Sequence, residues 1–244
     1  MELIGELKKT PRKTLEKNCF IKVFKYTGEF GRMRSKEIKK TLQEKRCEVF
    51  EKDPKAYLEQ LKKSISEEEK AFESSSQIMF DKLCISPECF ERTQQELMND
   101  PMASIELFNM GMSMEQPTVD VPEALSPEWT IELVKASNDY AFELFKKEYM
   151  NVLTQDPMLV PVLVSAAAHD WVRVKHEHSE DVFKAALFKH KIYEDADVAQ
   201  HMQMKQMELM SLAAQANPMM MAQMMQGGMG GMGGMPSMGP SGGF

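Results

Sequence analysis

Residues 126–154 read SPEWTIELVKASNDYAFELFKKEYMNVLT, and this stretch decides the fold class. Ser-Pro-Glu at 126–128 supplies an N-cap, a first-turn proline and an acid at the positive end of a helix dipole. Apolar residues follow at helical spacing, at Ile131, Val134, Ala141, Phe145, Tyr149 and Val152. This spacing places them on one face of a helix. The stretch therefore predicts one amphipathic helix from Pro127 to about Thr154.

Further helix starts are marked along the chain. The Ser-Pro-Glu motif recurs at 86–88, and Pro54, which follows Asp53, suits the first turn of another helix. Ser179 and Asp195 are each an N-cap that precedes a helical pattern. Residues 34–51 predict an exposed helix that docks weakly, because most of its surface is charged. No segment shows the two-residue alternation of a strand. The predicted fold is all-α, an irregular multi-helix bundle.

Charge and composition predict three regions. Residues 1–65 carry 18 Lys/Arg against 10 Asp/Glu, whereas the remainder carries 12 against 27. We predict a basic arm with an exposed helix at 1–53, a helical domain at 54–216 and a disordered Met/Gly-rich tail at 217–244. The basic arm either binds a partner or pairs with the acidic part of the same chain. The pattern does not indicate a nucleic-acid partner.

The longest apolar run lies at 158–168 and is too short to span a bilayer. Residues 158–174 are therefore expected to form a buried core helix rather than a membrane span. Charged residues interrupt the first ten positions, so no secretory signal is expected, and four scattered cysteines do not suggest a disulfide framework. These observations predict a cytoplasmic protein.

Catalytic and metal-binding patterns are weak in this sequence. His176 and His178 are two positions apart, whereas a metal pair on a helix needs a spacing of three or four. His169 and Asp170 form the kind of dyad found in metal-dependent phosphohydrolases, but the further ligands of such sites are missing. We interpret the dyad as polar residues where the core helix emerges near Trp171. No enzyme activity, cofactor, metal or small-molecule substrate is predicted.

Methionine is the unusual residue of this chain. It occurs 23 times, and 13 of these lie between Met202 and Met238. Flexible, polarizable thioether side chains adapt to many apolar shapes, which makes them common on promiscuous binding surfaces. The candidate protein-binding residues are Met202, Met207, Met210, Met219, Met220 and Met224. Alternatively, the methionines within the predicted helix fill a core and the later ones are low-complexity sequence.

The end of the chain has a family resemblance over residues 192–244. The segments IYEDADVAQHM at 192–202 and AAQANPMMMAQMM at 213–225 resemble the helical Asp-Pro or Asn-Pro segments of STI1-like co-chaperones. The sequence GGMGGMGGMPSMGP at 227–240 is similar to the Gly-Gly-Met tails of chaperones and their partners. Alanine follows Asp195 where that family has proline. The resemblance implies short helices that form a groove for apolar client segments.

The sequence therefore leaves two alternative functions. The first is a non-catalytic adaptor or co-chaperone that binds apolar segments of other proteins through its Met-rich C-terminal helices. The second is a structural subunit or scaffold of a larger cytoskeletal, ciliary or multi-subunit assembly. Long charged helices favour the second function, and an exposed methionine groove would favour the first.

Overall fold

A computed structural model describes residues 14–114 and 119–216. Within these residues there is no β-strand, which confirms the predicted all-α class. The tail at 217–244, predicted to be disordered, and residues 1–13 of the arm lie outside the described residues. The helices are α1 Lys17–Val49, α2 Pro54–Leu83, α3 Pro87–Met98, α4 Pro101–Met114, α5 Pro127–Glu148, α6 Val152–Gln155, α7 Leu159–His176, α8 Glu180–Lys189 and α9 Ala196–Ala216, with a 3-10 helix at Ile192–Glu194.

The predicted helix starts are confirmed by their capping geometry. The hydroxyls of Ser86, Ser126 and Ser179 each accept a hydrogen bond from the backbone N–H three positions on, at 3.2, 3.2 and 3.4 Å. One carboxylate oxygen of Asp195 accepts from the N–H groups of Asp197 and Val198, both at 3.0 Å. Each cap satisfies a donor that the first helical turn leaves without a partner.

Two helix boundaries differ from the prediction. The helix predicted over residues 127–154 ends at Glu148, and Val152–Gln155 forms a separate short helix. At the break, Tyr149 is buried and its hydroxyl donates to the carbonyl of Pro54 at 3.1 Å, a contact with another helix that periodicity does not reveal. Helix α1 begins at Lys17, well before the predicted start at residue 34. Helix α1 passes close to α2 at Gly31, where a Cβ would lie 3.1 Å from the Phe72 ring.

The described residues divide into two compact units. Among the described residues, unit 1 comprises 14–42 and 63–114, and unit 2 comprises 43–62 and 119–216. The boundary predicted after residue 53 falls inside unit 2. The core of unit 1 centres on Phe20, Phe80 and Phe90, with ring centroids 4.7 Å apart for Phe20 and Phe90 and 4.9 Å apart for Phe80 and Phe90.

Unit 2 is built around the pairing of α5 with α7. Leu133 and Val134 of α5 join Val172 of α7 in an apolar core that extends to α8, the 3-10 helix and the start of α9. In α7, Val160 and Leu163 are buried but Val174 is 41% exposed, and Met158, which directly precedes the helix, is 78% exposed. The helix predicted to be a buried core helix therefore buries one face and leaves its ends in contact with solvent.

The end of α1 is also more buried than the sequence predicts. Residues 36–41 are exposed, as expected for a charged helix. Gln43, Arg46 and Phe50, which belong to unit 2, are buried. The expectation of an exposed helix over 34–51 is therefore wrong at these three residues, although Glu44, Lys45 and Glu48 between them are exposed. The reason is a charged partner on α7, because Arg46 binds Asp170.

Candidate functional site

Helix α9 is the candidate site, and its first turn anchors it to unit 2. Asp195 caps the helix, and Val198 is 1% exposed within the apolar core. Beyond this turn, α9 packs along α5 and α6. An anchored first turn fixes which side of the helix faces the protein and which faces outward.

The outward side of α9 carries methionine. Met202, Met207 and Met210 are 37%, 56% and 53% exposed, and Met204 is 50% exposed. At 100° per residue, Met207 and Met210 lie on the side opposite to Lys205 and the half-buried Leu209 and Leu212, whereas Met202 lies only about 20° from Leu209, at the edge of the inward side. Met202, the least exposed of these four methionines, lies where the outward side meets the contact with the protein.

The charged side chains of α9 are turned toward the protein. Lys205 Nζ lies 2.7 Å from a carboxylate oxygen of Asp139 on α5, and His201 Nε2 lies 3.2 Å from the same oxygen. Glu208 accepts a hydrogen bond from Lys146 of α5 at 3.0 Å. The ammonium groups of Lys205 and Lys146 lie 5.4 and 5.9 Å from the centroid of the buried Phe142 ring. Charges therefore line the contact of α9 with α5.

This arrangement reverses the usual pattern of a surface helix, which buries an apolar stripe and exposes its charges. Within residues 199–215, every exposed residue is Met, Gln, Ala or Ser, and the titratable residues His201, Lys205 and Glu208 are half-buried. An exposed apolar surface that lacks charge is typical of an interaction site. Met219, Met220 and Met224, the remaining predicted binding residues, lie outside the described residues, and their role stays a prediction.

A second cluster surrounds Asp170 of α7, which is fully buried. Arg46 donates to both carboxylate oxygens, at 2.9 and 3.2 Å. Gln43 donates to one oxygen at 3.2 Å, and the Tyr57 hydroxyl donates to the other at 2.8 Å. The sequence interpretation of Asp170 as a residue at an emerging polar edge is therefore wrong, because these donors from α1 and α2 compensate its burial.

Electrostatics in this cluster favour a structural role. Burial opposes the charge of Arg46, but the Asp170 carboxylate outweighs it and raises the pKa of the guanidinium. Burial, with a smaller contribution from Asp170, raises the pKa of the Cys47 thiol to about 12. Burial and then Asp170 also raise the pKa of Tyr57. The thiol and the phenol thus favour their neutral forms, and the carboxylate beside them already accepts four hydrogen bonds.

The neighbouring His169 belongs to a separate contact. Its Nδ1 lies 3.9 Å from a carboxylate oxygen of Glu180, which in turn lies 2.8 Å from Lys184 Nζ. Burial lowers the pKa of His169, although the Glu180 charge opposes this. Burial also works against the ionised form of Glu180, yet Lys184 and His169 hold its pKa below the ordinary value. The His169 and Asp170 side chains thus engage different partners and do not act as one dyad.

Sequence reasoning missed Gln43, Arg46 and Tyr57. One signal for Arg46 was present, because on a helix it lies between Leu42 and Val49 in a row of apolar positions. A charged residue in such a row needs a buried partner. His176, considered above as a metal ligand, instead packs against Trp129 and Trp171 at centroid distances of 5.7 and 5.0 Å. Within residues 14–114 and 119–216, no group of three or more His, Cys, Asp or Glu is placed to hold a metal ion.

Comparisons with protein-family models, curated proteins and solved structures give no significant match to this chain. Among the helices of the described ranges, none is both long enough and apolar enough to cross a membrane.

Proposed function

We propose that this protein is a non-catalytic adaptor or co-chaperone that binds apolar segments of other proteins through the outward face of α9. The observation that carries the proposal is the reversed polarity of this helix. Its exposed residues at 199–215 carry no charge, whereas His201, Lys205 and Glu208 face α5.

The chemistry of that face suits varied apolar partners. Methionine side chains can change rotamer to match different shapes, and their sulfur atoms make favourable contacts with aromatic rings. Gln200, Gln203 and Gln206 lie between the methionines and are exposed. Their amides donate and accept hydrogen bonds, so they can satisfy the backbone of a bound segment. The absence of charge on this face also avoids the desolvation cost of burying an ion at an interface.

The second function, a subunit or scaffold of a larger assembly, is favoured by a different observation. Helices α1 and α2 are 33 and 30 residues long, and residues 36–41 of α1 are exposed throughout. Long charged helices offer extended surfaces for docking. A scaffold would bind one defined partner, whereas an adaptor for apolar segments would bind many.

The test replaces Met202, Met207 and Met210 by glutamine, which keeps chain length and helix propensity but removes the apolar surface. A chemically denatured model enzyme is diluted into buffer, and light scattering records its aggregation with and without the protein. We expect the wild-type protein to delay aggregation and the triple variant to lose at least half of this effect, with an unchanged melting temperature.

A matched control replaces Met33, Met102 and Met158 by glutamine. These methionines are 69%, 74% and 78% exposed but lie outside α9. This variant is expected to delay aggregation as the wild-type protein does. Equal loss in both triple variants would attribute the effect to general surface hydrophobicity. No delay by the wild-type protein, together with capture of one defined complex from cells, would favour the scaffold.

A further inference from the structure

The two surfaces of α5 are held to their neighbours by different forces. Toward α7, α5 contributes buried apolar residues such as Leu133 and Val134. Toward α9, it contributes charged residues. Lys135 pairs with Asp197, Asp139 pairs with His201 and Lys205, and Lys146 pairs with Glu208. Salt screens attraction between partly exposed charges but does not weaken apolar contacts. An increase in ionic strength should therefore weaken the contact with α9 and leave the contact with α7 unchanged.

The described residues of α9 beyond its first turn are at most half-buried. Val198 is the last residue of the described part of α9 to be buried, and Leu209 and Leu212 are half-buried. The paired side chains are also partly exposed, at 22% for Lys205, 50% for Asp139 and 40% for Glu208. Exposed ion pairs change a local equilibrium by only about two- to fivefold each. A segment held in this way belongs to the least stable part of a fold.

We propose that residues 201–215 of α9 form an electrostatic latch. The segment docks on α5 at low ionic strength and releases when ionic strength rises, while Asp195 and Val198 keep the first turn in place. Release uncovers Phe142 of α5 and adds the inward-facing Leu209 and Leu212 to the apolar surface that α9 presents. The latch is a property of the fold and does not depend on the proposed function.

Hydrogen–deuterium exchange of the full chain tests the latch. Amide exchange in residues 203–214 is compared with exchange in residues 163–172 of α7, at about 50 mM and about 1 M NaCl, where the screening length falls severalfold. We expect exchange in α9, measured relative to α7, to accelerate about tenfold at high salt, which is the combined effect of two or three exposed ion pairs.

Two variants on α5 make the test specific. Asp139→Asn removes the carboxylate that faces both His201 and Lys205, so α9 should exchange rapidly already at low salt and show a much smaller salt effect. Glu132→Gln removes an exposed carboxylate that forms no ion pair with α9 among the described residues, and it should behave as wild type. Equal exchange in wild type and Asp139→Asn at both salt concentrations, or acceleration in α7 to the same extent as in α9, would overturn the proposal.

Discussion

Replacing Asp170 by alanine is expected to lower the free energy of unfolding of unit 2 by about 3–5 kcal/mol, because it leaves the Arg46 guanidinium buried without its partner. Both oxygens of this carboxylate are engaged, and Asp170 and Arg46 are 0% and 5% exposed. Urea denaturation followed by circular dichroism measures the change. A loss of this size is a large part of the stability of an ordinary domain.

Two controls separate the buried charge from general effects of substitution. Glu123→Ala removes an exposed carboxylate of unit 2 and should change stability by less than about 0.5 kcal/mol. Combining Asp170→Leu with Arg46→Met removes both charges and should recover part of the loss, since apolar residues can replace a buried ion pair. Asp170→Ala that unfolds at the same urea concentration as Glu123→Ala would show that the cluster does not stabilise the unit.

Replacing Val160 by aspartate is expected to unfold unit 2 at room temperature. Val160 is 1% exposed in α7, so a carboxylate at this position would be cut off from solvent. An unpaired carboxylate in such a place costs several kcal/mol, out of a total stability of about 5–15 kcal/mol for a typical domain. The loss of helical ellipticity and of a cooperative melting transition measures the effect.

Val174→Asp is the matched control in the same helix. Val174 is 41% exposed, so its new carboxylate stays hydrated. Its position near the C-terminal end of α7 adds an unfavourable helix-dipole interaction of at most about 1 kcal/mol. Equal melting temperatures for the Val160→Asp and Val174→Asp variants would contradict the placement of α7 in the core.

The features that the sequence predicts are local. Ser86, Ser126, Ser179 and Asp195 each bond to a backbone group two or three positions away, so a short motif contains the whole interaction. The apolar periodicity of the region that forms α5 likewise predicts a helix from neighbouring residues alone. Such signals gave the all-α class and most of the helix starts.

The features that the sequence does not predict depend on distant residues. Asp170 meets Gln43, Arg46 and Tyr57 across separations of 127, 124 and 113 positions. Nothing near Asp170 in the chain indicates that these donors will surround it. Likewise, the sequence shows that the methionines of α9 are unusual, but it does not show whether they face α5 or solvent. Their orientation depends on Asp139 and Lys146 of α5, which attract the charged side of α9.

The proposed function requires that the methionine face of α9 contacts apolar segments of other proteins. Photo-crosslinking tests it directly, with a benzophenone side chain placed at position 207 in one sample and at position 158 in another. Both native residues are exposed methionines of unit 2, at 56% and 78% exposure. With a chemically denatured model enzyme present, we predict strong adducts from position 207 and weak adducts from position 158. Equal adducts from the two positions, or none from position 207, would contradict the account.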